Sequence, residues 1–150
     1  MVSTFVMKEE NCLADNSRVK DSVGMGSYGL DCHYCRRLVL NGKLEDEGTL
    51  GAGGISPFPI AYRALVPKPQ ECTNLLVPVC LSASHVAYAP IRMEPIYMIL
   101  GQSAGTAAAL AIDDNVSVQT LDYNKLRDRL EADGQILGGH WVPEKISSAP

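Results

Sequence analysis

The stretch RMEPIYMILGQSAGTAAALAI, residues 92–112, is the least polar part of this chain. Its apolar pattern predicts one helix over residues 95–112 that ends near 113–115. Pro95 suits the first turn of such a helix, since its missing N–H would have no partner there. Small residues recur at helical spacing to give a smooth face, and these are Gly101, Ala104, Gly105 and Ala108. We therefore expect the helix to lie unusually close to a sheet or to another backbone.

Length and composition indicate a soluble globular chain. Its 150 residues are enough for one ordinary domain with one core, and its 46% hydrophobic and 20% charged residues are near globular averages. Thirteen Lys and Arg stand against seventeen Asp and Glu, for a formal net charge of −4. Binding along nucleic acid needs a basic stripe to neutralise phosphates, so we expect no nucleic-acid partner.

Cysteine usage and the chain start bear on the cellular compartment. Five cysteines are an odd number at modest density, which favours reduced thiols and a cytoplasmic location. Residues 1–12 lack the basic and apolar regions of a secretory signal. Residues 95–112 approach the length of a membrane span, but Gln102, Ser103 and Thr106 interrupt them and no basic flank follows. We therefore expect no membrane partner.

The first half of the chain reads as short strands separated by turns. Residues 41–43, Asn-Gly-Lys, have the chemistry of a tight hairpin turn that follows a strand over 37–40. The other segments of this half are a strand at 5–7, a Gly- and Pro-rich loop at 48–59 and a strand at 60–66. Two prolines end the last of these strands, and we place the main boundary near Lys68.

The second half is predicted to be mostly helical after one strand. Residues 74–82 are a nearly continuous apolar run, which is typical of a strand covered on both faces. A loop over 83–90 then leads to the long helix. A further helix is indicated by Asp122 as its cap, by the staple spacing of Leu121 and Leu126, and by Gly134 at its end.

Gly24, Gly26 and Gly29 have the spacing of a dinucleotide-binding fingerprint, and Glu45 lies where a ribose-binding acid is expected. That fingerprint works only where an apolar strand leads into it and a helix leaves it, so that a helix N-terminus meets the pyrophosphate. The flanking residues show neither pattern. An irregular glycine loop is the favoured interpretation, with the fingerprint kept as the alternative.

Cys32, His33 and Cys35 raise two further hypotheses, a metal site and a redox dithiol. A structural zinc needs a second pair of ligands, and the remaining cysteines are isolated along the chain. A redox dithiol normally follows an apolar strand at a helix start, and Asp31 beside Cys32 disfavours its thiolate. We favour ordinary reduced cysteines, predict no metal site, and keep a thiol or zinc module as an alternative.

His85 lies between the predicted strand and the long helix, where open α/β sheets bind ligands at their strand ends. It is flanked by Ser82, Ser84, Tyr88 and Arg92. These side chains either form a ligand site or satisfy backbone groups of the loop. His140 and Trp141 near the C-terminus receive no functional interpretation.

Three stretches together resemble the FAD-dependent oxidoreductases of the bacterial xanthan-lyase-like group. They are residues 2–12 (VSTFVMKEENC), residues 21–39 (DSVGMGSYGLDCHYCRRLV) and residues 57–113, continued by LRDRLEADGQIL at 126–137. The similarity covers most of the chain and implies an α/β fold. Residues 1–68 would be a β-rich segment of the substrate domain, and residues 69–150 the C-terminal segment of a Rossmann-like FAD-binding domain, with its last strand and two helices.

The resemblance also implies a cofactor, FAD, and a site for it. In such proteins the N-terminus of the long helix is directed at the flavin and ribityl region, where its partial positive charge favours the reduced ring and eases hydride acceptance. By position, the residues around the cofactor are Ser82, Ser84, His85, Ile91, Arg92 and Met93, with His85 as the catalytic acid or base. The substrate is then a small molecule.

One expected part is missing from the pattern. The family's FAD fingerprint belongs to an N-terminal region that GMGSYG at 24–29 does not replace, so the resemblance predicts a C-terminal fragment with weak or no FAD binding by itself. The alternative is a non-catalytic interaction or assembly module, a truncated product without flavin. Its exposed sheet edge would pair with another copy of the chain to give a homo-oligomer.

Overall fold

The computed structural model describes residues 1, 3–13, 19–52 and 55–138. The helices in these ranges are α1 (Glu9–Cys12), α2 (His85–Ile91), α3 (Glu94–Asp113) and α4 (Tyr123–Ala132). The strands are β1 (Ser22–Gly26), β2 (Leu30–Cys32), β3 (Arg36–Leu40), β4 (Lys43–Glu47), β5 (Leu50–Ala52) and β6 (Phe58–Ala61). The chain is therefore of mixed α/β composition, as expected at this coarse level.

The strands pair as three antiparallel two-stranded sheets, β1 with β6, β2 with β5, and β3 with β4. A parallel bridge joins Met7 to Ala83, where the Met7 N–H donates to the Ser82 carbonyl at 2.9 Å and the Ser84 N–H donates to the Met7 carbonyl at 2.8 Å. This bridge ties the start of the chain to the entry of α2. Within the described ranges the strands form no parallel sheet of the Rossmann type.

β1 is irregular at the point where α3 packs against it. The register of β1 on β6 shifts between Ser22 and Met25. In this shifted segment the Val23 carbonyl accepts hydrogen bonds from the Ser103 hydroxyl of α3 and from the Gln135 side chain, both at 2.5 Å. α3 and the segment after α4 are therefore fastened to the same carbonyl of β1.

The long helix is confirmed, but the close approach is made differently from the prediction. Ala107 on the inner side of α3 is wholly buried. A Cβ placed on Gly101 or Gly105 would meet no atom within 4 Å, whereas one on Gly24 of β1 would lie 2.5 Å from Cγ2 of Ile99. The glycine that lets strand and helix approach is thus on the strand.

The outer side of α3 is apolar and open. Met98 is 75% exposed and Ile112 is 77% exposed, and Gly101 and Gly105 share their side of the helix. We call these four residues the outer face of α3. The helix also has the length and hydropathy of a membrane span, and 33% of its 18-residue apolar stretch is buried inside the rest of the chain.

Local turn and cap chemistry is confirmed at both ends of the chain. Asn41 and Gly42, with φ of 53° and 75°, join β3 to β4 in the left-handed conformation that tight hairpin turns require. The Asp122 carboxylate accepts a hydrogen bond from the Asn124 N–H at 2.9 Å at the start of α4. Gly134, with φ of 82°, follows the end of that helix.

Two predictions around the entry to α2 are wrong. Residues 74–82 form no strand, because Pro78 has no N–H to give and the Val77 N–H donates instead to the Leu65 carbonyl at 2.8 Å. Residues 83–90 are not a loop. The Ser84 hydroxyl accepts a hydrogen bond from the Ala87 N–H at 3.2 Å and so caps α2.

Three predictions in the first half need correction. The strand expected over 60–66 ends at Ala61, because the backbone turns into a 3-10 helix over Tyr62–Ala64. Residues 5–7 contribute only the bridge at Met7. The loop expected over 48–59 contains β5 and the start of β6.

One hydrophobic cluster contains side chains from both sides of Lys68, among them Phe58, Leu65, Ile91 and Leu100. The division into segments 1–68 and 69–150 of two domains stays a prediction. His140 and Trp141 lie outside the described residues.

Asp21 anchors the corner that follows β6. Its carboxylate accepts hydrogen bonds from the Arg63 backbone N–H and Nε, each at 2.9 Å, and from Nη2 at 3.0 Å. The Asp21 side chain is 11% exposed, and its hydrogen bond raises the pKa of the guanidinium. By contrast, the pair of Arg37 and Asp46, 2.8 Å apart, lies on the exposed β3–β4 hairpin.

We expect Asp21→Ala to lower the free energy of unfolding by about 2–3 kcal/mol, because it removes a mostly buried acceptor from the Arg63 backbone N–H and guanidinium together. Asp46→Ala is the matched control and should cost less than about 1 kcal/mol, as exposed ion pairs usually do. Urea denaturation followed by circular dichroism measures both changes. Equal losses in the two variants would show that Asp21 does not anchor the corner.

We expect Gly24→Ala to destabilise the fold by about 1–3 kcal/mol, because the new Cβ would press on the stiff, β-branched side chain of Ile99. Gly101→Ala, with open space beside it inside a helix, should stabilise the fold by up to about 1 kcal/mol. Thermal unfolding of the two variants makes the comparison. A change of the same sign in both would contradict the close approach of α3 to β1.

Candidate functional site

A pocket of about 240 Å³ lies between the β2–β3 connection and α2. The residues that matter for its chemistry are Asp31, Cys32, Cys35, His85, Tyr88 and Arg92. It thus gathers two cysteines, an arginine and two histidines, His85 and the more exposed His33, from segments far apart in the sequence.

The local structure explains how the two cysteines reach the pocket. Cys32 is the last residue of β2, pairs with Leu50 of β5 and is buried. Cys35 is exposed and directly precedes β3, where its N–H donates to the Glu47 carbonyl at 2.8 Å. His85 is the first residue of α2, and its Nε2 lies 3.9 Å from the Cys35 Sγ. An imidazole nitrogen is therefore in contact with an accessible thiol.

Asp31 and Arg92 set the charge of the pocket. The Arg92 Nη2 lies 3.6 Å from the Asp31 carboxylate and donates to the Asp31 carbonyl at 3.4 Å. Burial raises the pKa of the Cys32 thiol, Asp31 raises it further, and Arg92 opposes both effects. The Arg92 side chain remains 42% exposed, so its charge is available to a bound group.

A contact between Tyr88, already singled out beside His85, and Tyr97, which the sequence did not indicate, holds α2 against the start of α3. The hydroxyls of Tyr88 and Tyr97 are 2.6 Å apart, and the Tyr88 hydroxyl also donates to the Val79 carbonyl at 3.1 Å. Burial and the Tyr88 hydroxyl raise the pKa of Tyr97. The contact fixes the angle between α2 and α3, and hence the position of Arg92 at their junction. No local signal pairs these two residues in the sequence.

Of the predicted site residues, the structure brings only His85 and Arg92 together in this pocket. Ser84 is used as the cap of α2, and the Ser82 carbonyl accepts the Met7 N–H. Ile91 is wholly buried in the core. Met93 is half-buried at the N-cap position of α3 and provides no side-chain hydrogen bond there. The cofactor roles of these four residues and the catalytic role of His85 stay predictions.

Gly24 and Gly26, the first two glycines of residues 24–29, serve packing. Gly24 and Gly26 belong to β1, and a Cβ on Gly26 would lie 2.6 Å from Cζ of Phe58. β1 is followed by β2 and not by a helix, and Glu45 lies on the exposed strand β4. The expected irregular loop is thus limited to residues 27–29, and the context of a dinucleotide fingerprint is missing here.

The cysteines of the described residues are not arranged for a shared ligand or a cross-link. Among the described residues, no group of three or more His, Cys, Asp or Glu side chains has the arrangement of a metal site. All five cysteines are free thiols.

A model of the FAD dependent oxidoreductase family matches residues 1–130. The matched range includes β2, the β2–β3 connection and the α2–α3 junction, which together form the pocket. No curated protein and no solved structure matches the chain.

We expect iodoacetamide to alkylate Cys35 at least about tenfold faster than Cys12 in the folded chain. Cys35 is exposed, whereas Cys12 is wholly buried, and burial with the nearby Glu9 raises its pKa to about 12. Peptide mapping by mass spectrometry at a series of times gives both rates. Guanidinium-unfolded chain is the control, in which the two rates should converge. Equal rates in the folded chain would contradict the burial of Cys12.

Proposed function

The chain belongs to the FAD dependent oxidoreductase family, and from that premise we propose that it forms the flavin-facing edge of an FAD-dependent oxidoreductase. FAD is the cofactor of this family. When bound, it exchanges a hydride with a small-molecule substrate. On the resemblance of its sequence, we further assign the chain to the bacterial xanthan-lyase-like group.

The described residues could hold only one part of an FAD molecule. The pocket of about 240 Å³ is smaller than the roughly 300–1,000 Å³ of a typical small-molecule site. The glycines that would have to cradle a pyrophosphate lie against Ile99 and Phe58 instead. We therefore propose that the pyrophosphate and adenosine are held by a Rossmann-like segment outside the described residues.

The part that fits is the junction between α2 and α3. Arg92 places an accessible positive charge there. The following helix has 20 residues, and its N-cap residue, Met93, makes no side-chain hydrogen bond. Such a helix start carries about half a positive charge, so junction and arginine together would stabilise negative charge on a bound ring. The exposed positive charge of Arg92 beside the start of a 20-residue helix is the main support for a flavin-facing edge.

His85 is the residue that can move a proton in the pocket. Its Nε2 lies 3.9 Å from the Cys35 Sγ in the pocket that Arg92 also lines, and an imidazole nitrogen can donate or accept a proton. We propose that Nε2 takes or gives the proton that accompanies hydride transfer at the substrate. Tyr88 orients this region through its hydrogen bond with Tyr97.

The outer face of α3 supports the idea of a further protein layer. Met98 and Ile112 expose most of their surface, and Gly101 and Gly105 leave room for a backbone to come close. We propose that a Rossmann-like segment outside the described residues packs on this face. If the chain is instead an assembly module without flavin, two copies would join through an exposed sheet edge.

The proposal is tested by expressing the chain alone and joined to the coding region that precedes it in its genome. Visible absorbance and fluorescence titration with FAD are the measurements. We expect weak or no binding by the chain alone and a bound flavin spectrum in the joined protein. No flavin in either form, with dimers of the chain in sedimentation, would contradict the proposal and favour an assembly module.

In the joined protein, Arg92→Ala should weaken FAD binding by about tenfold, because it removes a positive charge beside the helix N-terminus. Arg127→Ala is the matched control, since this arginine pairs with Glu131 at 3.1 Å on the exposed side of α4. Its affinity should be unchanged. An equal loss in both variants, or in neither, would remove Arg92 from the flavin site.

A further inference from the structure

We propose that Cys32 and Cys35 are a redox-active dithiol that exchanges with small disulfides, with Cys35 as the attacking thiol and Cys32 as the resolving thiol. This activity is additional to the proposed flavin chemistry and does not depend on bound FAD.

The placement of the two thiols supports this division of roles. They are separated by two residues and line the same pocket. Cys35 is exposed and open to a reagent, whereas Cys32 is only 4% exposed and cannot be reached first from solvent. A thiol pair with one accessible and one shielded member can form a mixed disulfide and then release it internally.

The surroundings of Cys35 favour its reaction. The His85 Nε2, 3.9 Å from the Cys35 Sγ, is placed to accept the thiol proton. Asp31 would oppose a thiolate at Cys32, but the Arg92 guanidinium, 3.6 Å from the Asp31 carboxylate, offsets that charge. The negative charge of Asp31, which in the sequence disfavours a thiolate at Cys32, is thus offset by Arg92, sixty-one positions away. Arg92 also donates a hydrogen bond to the Asp31 carbonyl.

The exchange balances in two steps. Cys35 loses its proton to His85, and its sulfur attacks one sulfur of a small disulfide. This S–S bond breaks, and the leaving thiolate takes a proton to become a free thiol. The Cys32 sulfur then attacks Cys35, loses its proton and releases the second small thiol. The protein dithiol is oxidised by two electrons, and the small disulfide is reduced to two thiols.

Oxidised glutathione is the probe for the first experiment. The full chain is incubated with it, free thiols are alkylated, and the peptides are mapped by mass spectrometry. We expect a Cys32–Cys35 disulfide, seen as the loss of two hydrogens within one peptide. Cys32→Ser should instead keep one glutathionyl group on Cys35, because nothing resolves it. Cys80→Ser, which removes a different exposed thiol, should leave the disulfide unchanged.

His85→Asn tests the proton acceptor. It should slow the mixed disulfide at Cys35 of the Cys32→Ser chain by about tenfold or more. His33→Asn is the matched control, since the His33 imidazole lines the same pocket but is 78% exposed and lies 3.8 Å from the Asp31 carboxylate. It should leave the rate within about twofold of the parent chain. Circular dichroism checks that each variant is folded.

Two results would overturn the dithiol. One is a stable glutathionyl group on Cys35 of the unsubstituted chain with no internal disulfide. The other is a Cys35 that reacts no faster than Cys80. Neither measurement involves flavin, so this inference and the proposed function succeed or fail separately.

Discussion

The Val23 carbonyl of β1 is the point on which the rest of the structure depends. It lies where the register of β1 on β6 shifts, and it takes its donors from Ser103 of α3 and from Gln135 after α4. The Gln135 Nε2 also donates to the Ser103 hydroxyl at 2.6 Å, so that the three polar groups are hydrogen-bonded to one another. A buried carbonyl without a donor costs about 1–3 kcal/mol, and here α3 and the segment after α4 each supply a donor. Gly24, the next residue, leaves the room that α3 needs.

The sequence predicts those parts of the fold whose causes lie within a few residues. The Asn41–Gly42 turn and the Asp122 cap follow from local chemistry, and both are present. Residues 74–82 fail as a strand because their outcome depends on a distant partner, the Leu65 carbonyl. The site divides in the same way. His85 and Arg92 could be singled out from their position, but the contact of His85 with Cys35, fifty residues earlier, depends on tertiary packing.

The junction of α2 and α3 lies within the range matched by the FAD dependent oxidoreductase family, and its Arg92 also lines the pocket. The positive charge of Arg92 lies 3.6 Å from the Asp31 carboxylate beside Cys32. The same charge is the one proposed to stabilise negative charge on a bound ring. The described residues provide charge and a proton acceptor but no cradle for a dinucleotide. These features are the ones on which the proposed flavin site depends. The outer face of α3 stays apolar and exposed in the part of the chain that the structure describes.

The β3–β4 hairpin is expected to open locally more easily than the core, and this opening affects the segment that carries Cys35. Its side chains are largely in solvent, with Val39 73% exposed, and a two-stranded hairpin of this kind is only marginally stable by itself. Its amides should therefore exchange hydrogen through local opening, at a lower free energy than the core requires. Because the Cys35 N–H bonds to Glu47 of the hairpin, each opening also releases the segment that holds this thiol. The position of the Cys35 backbone then follows this local equilibrium and does not require global unfolding to change.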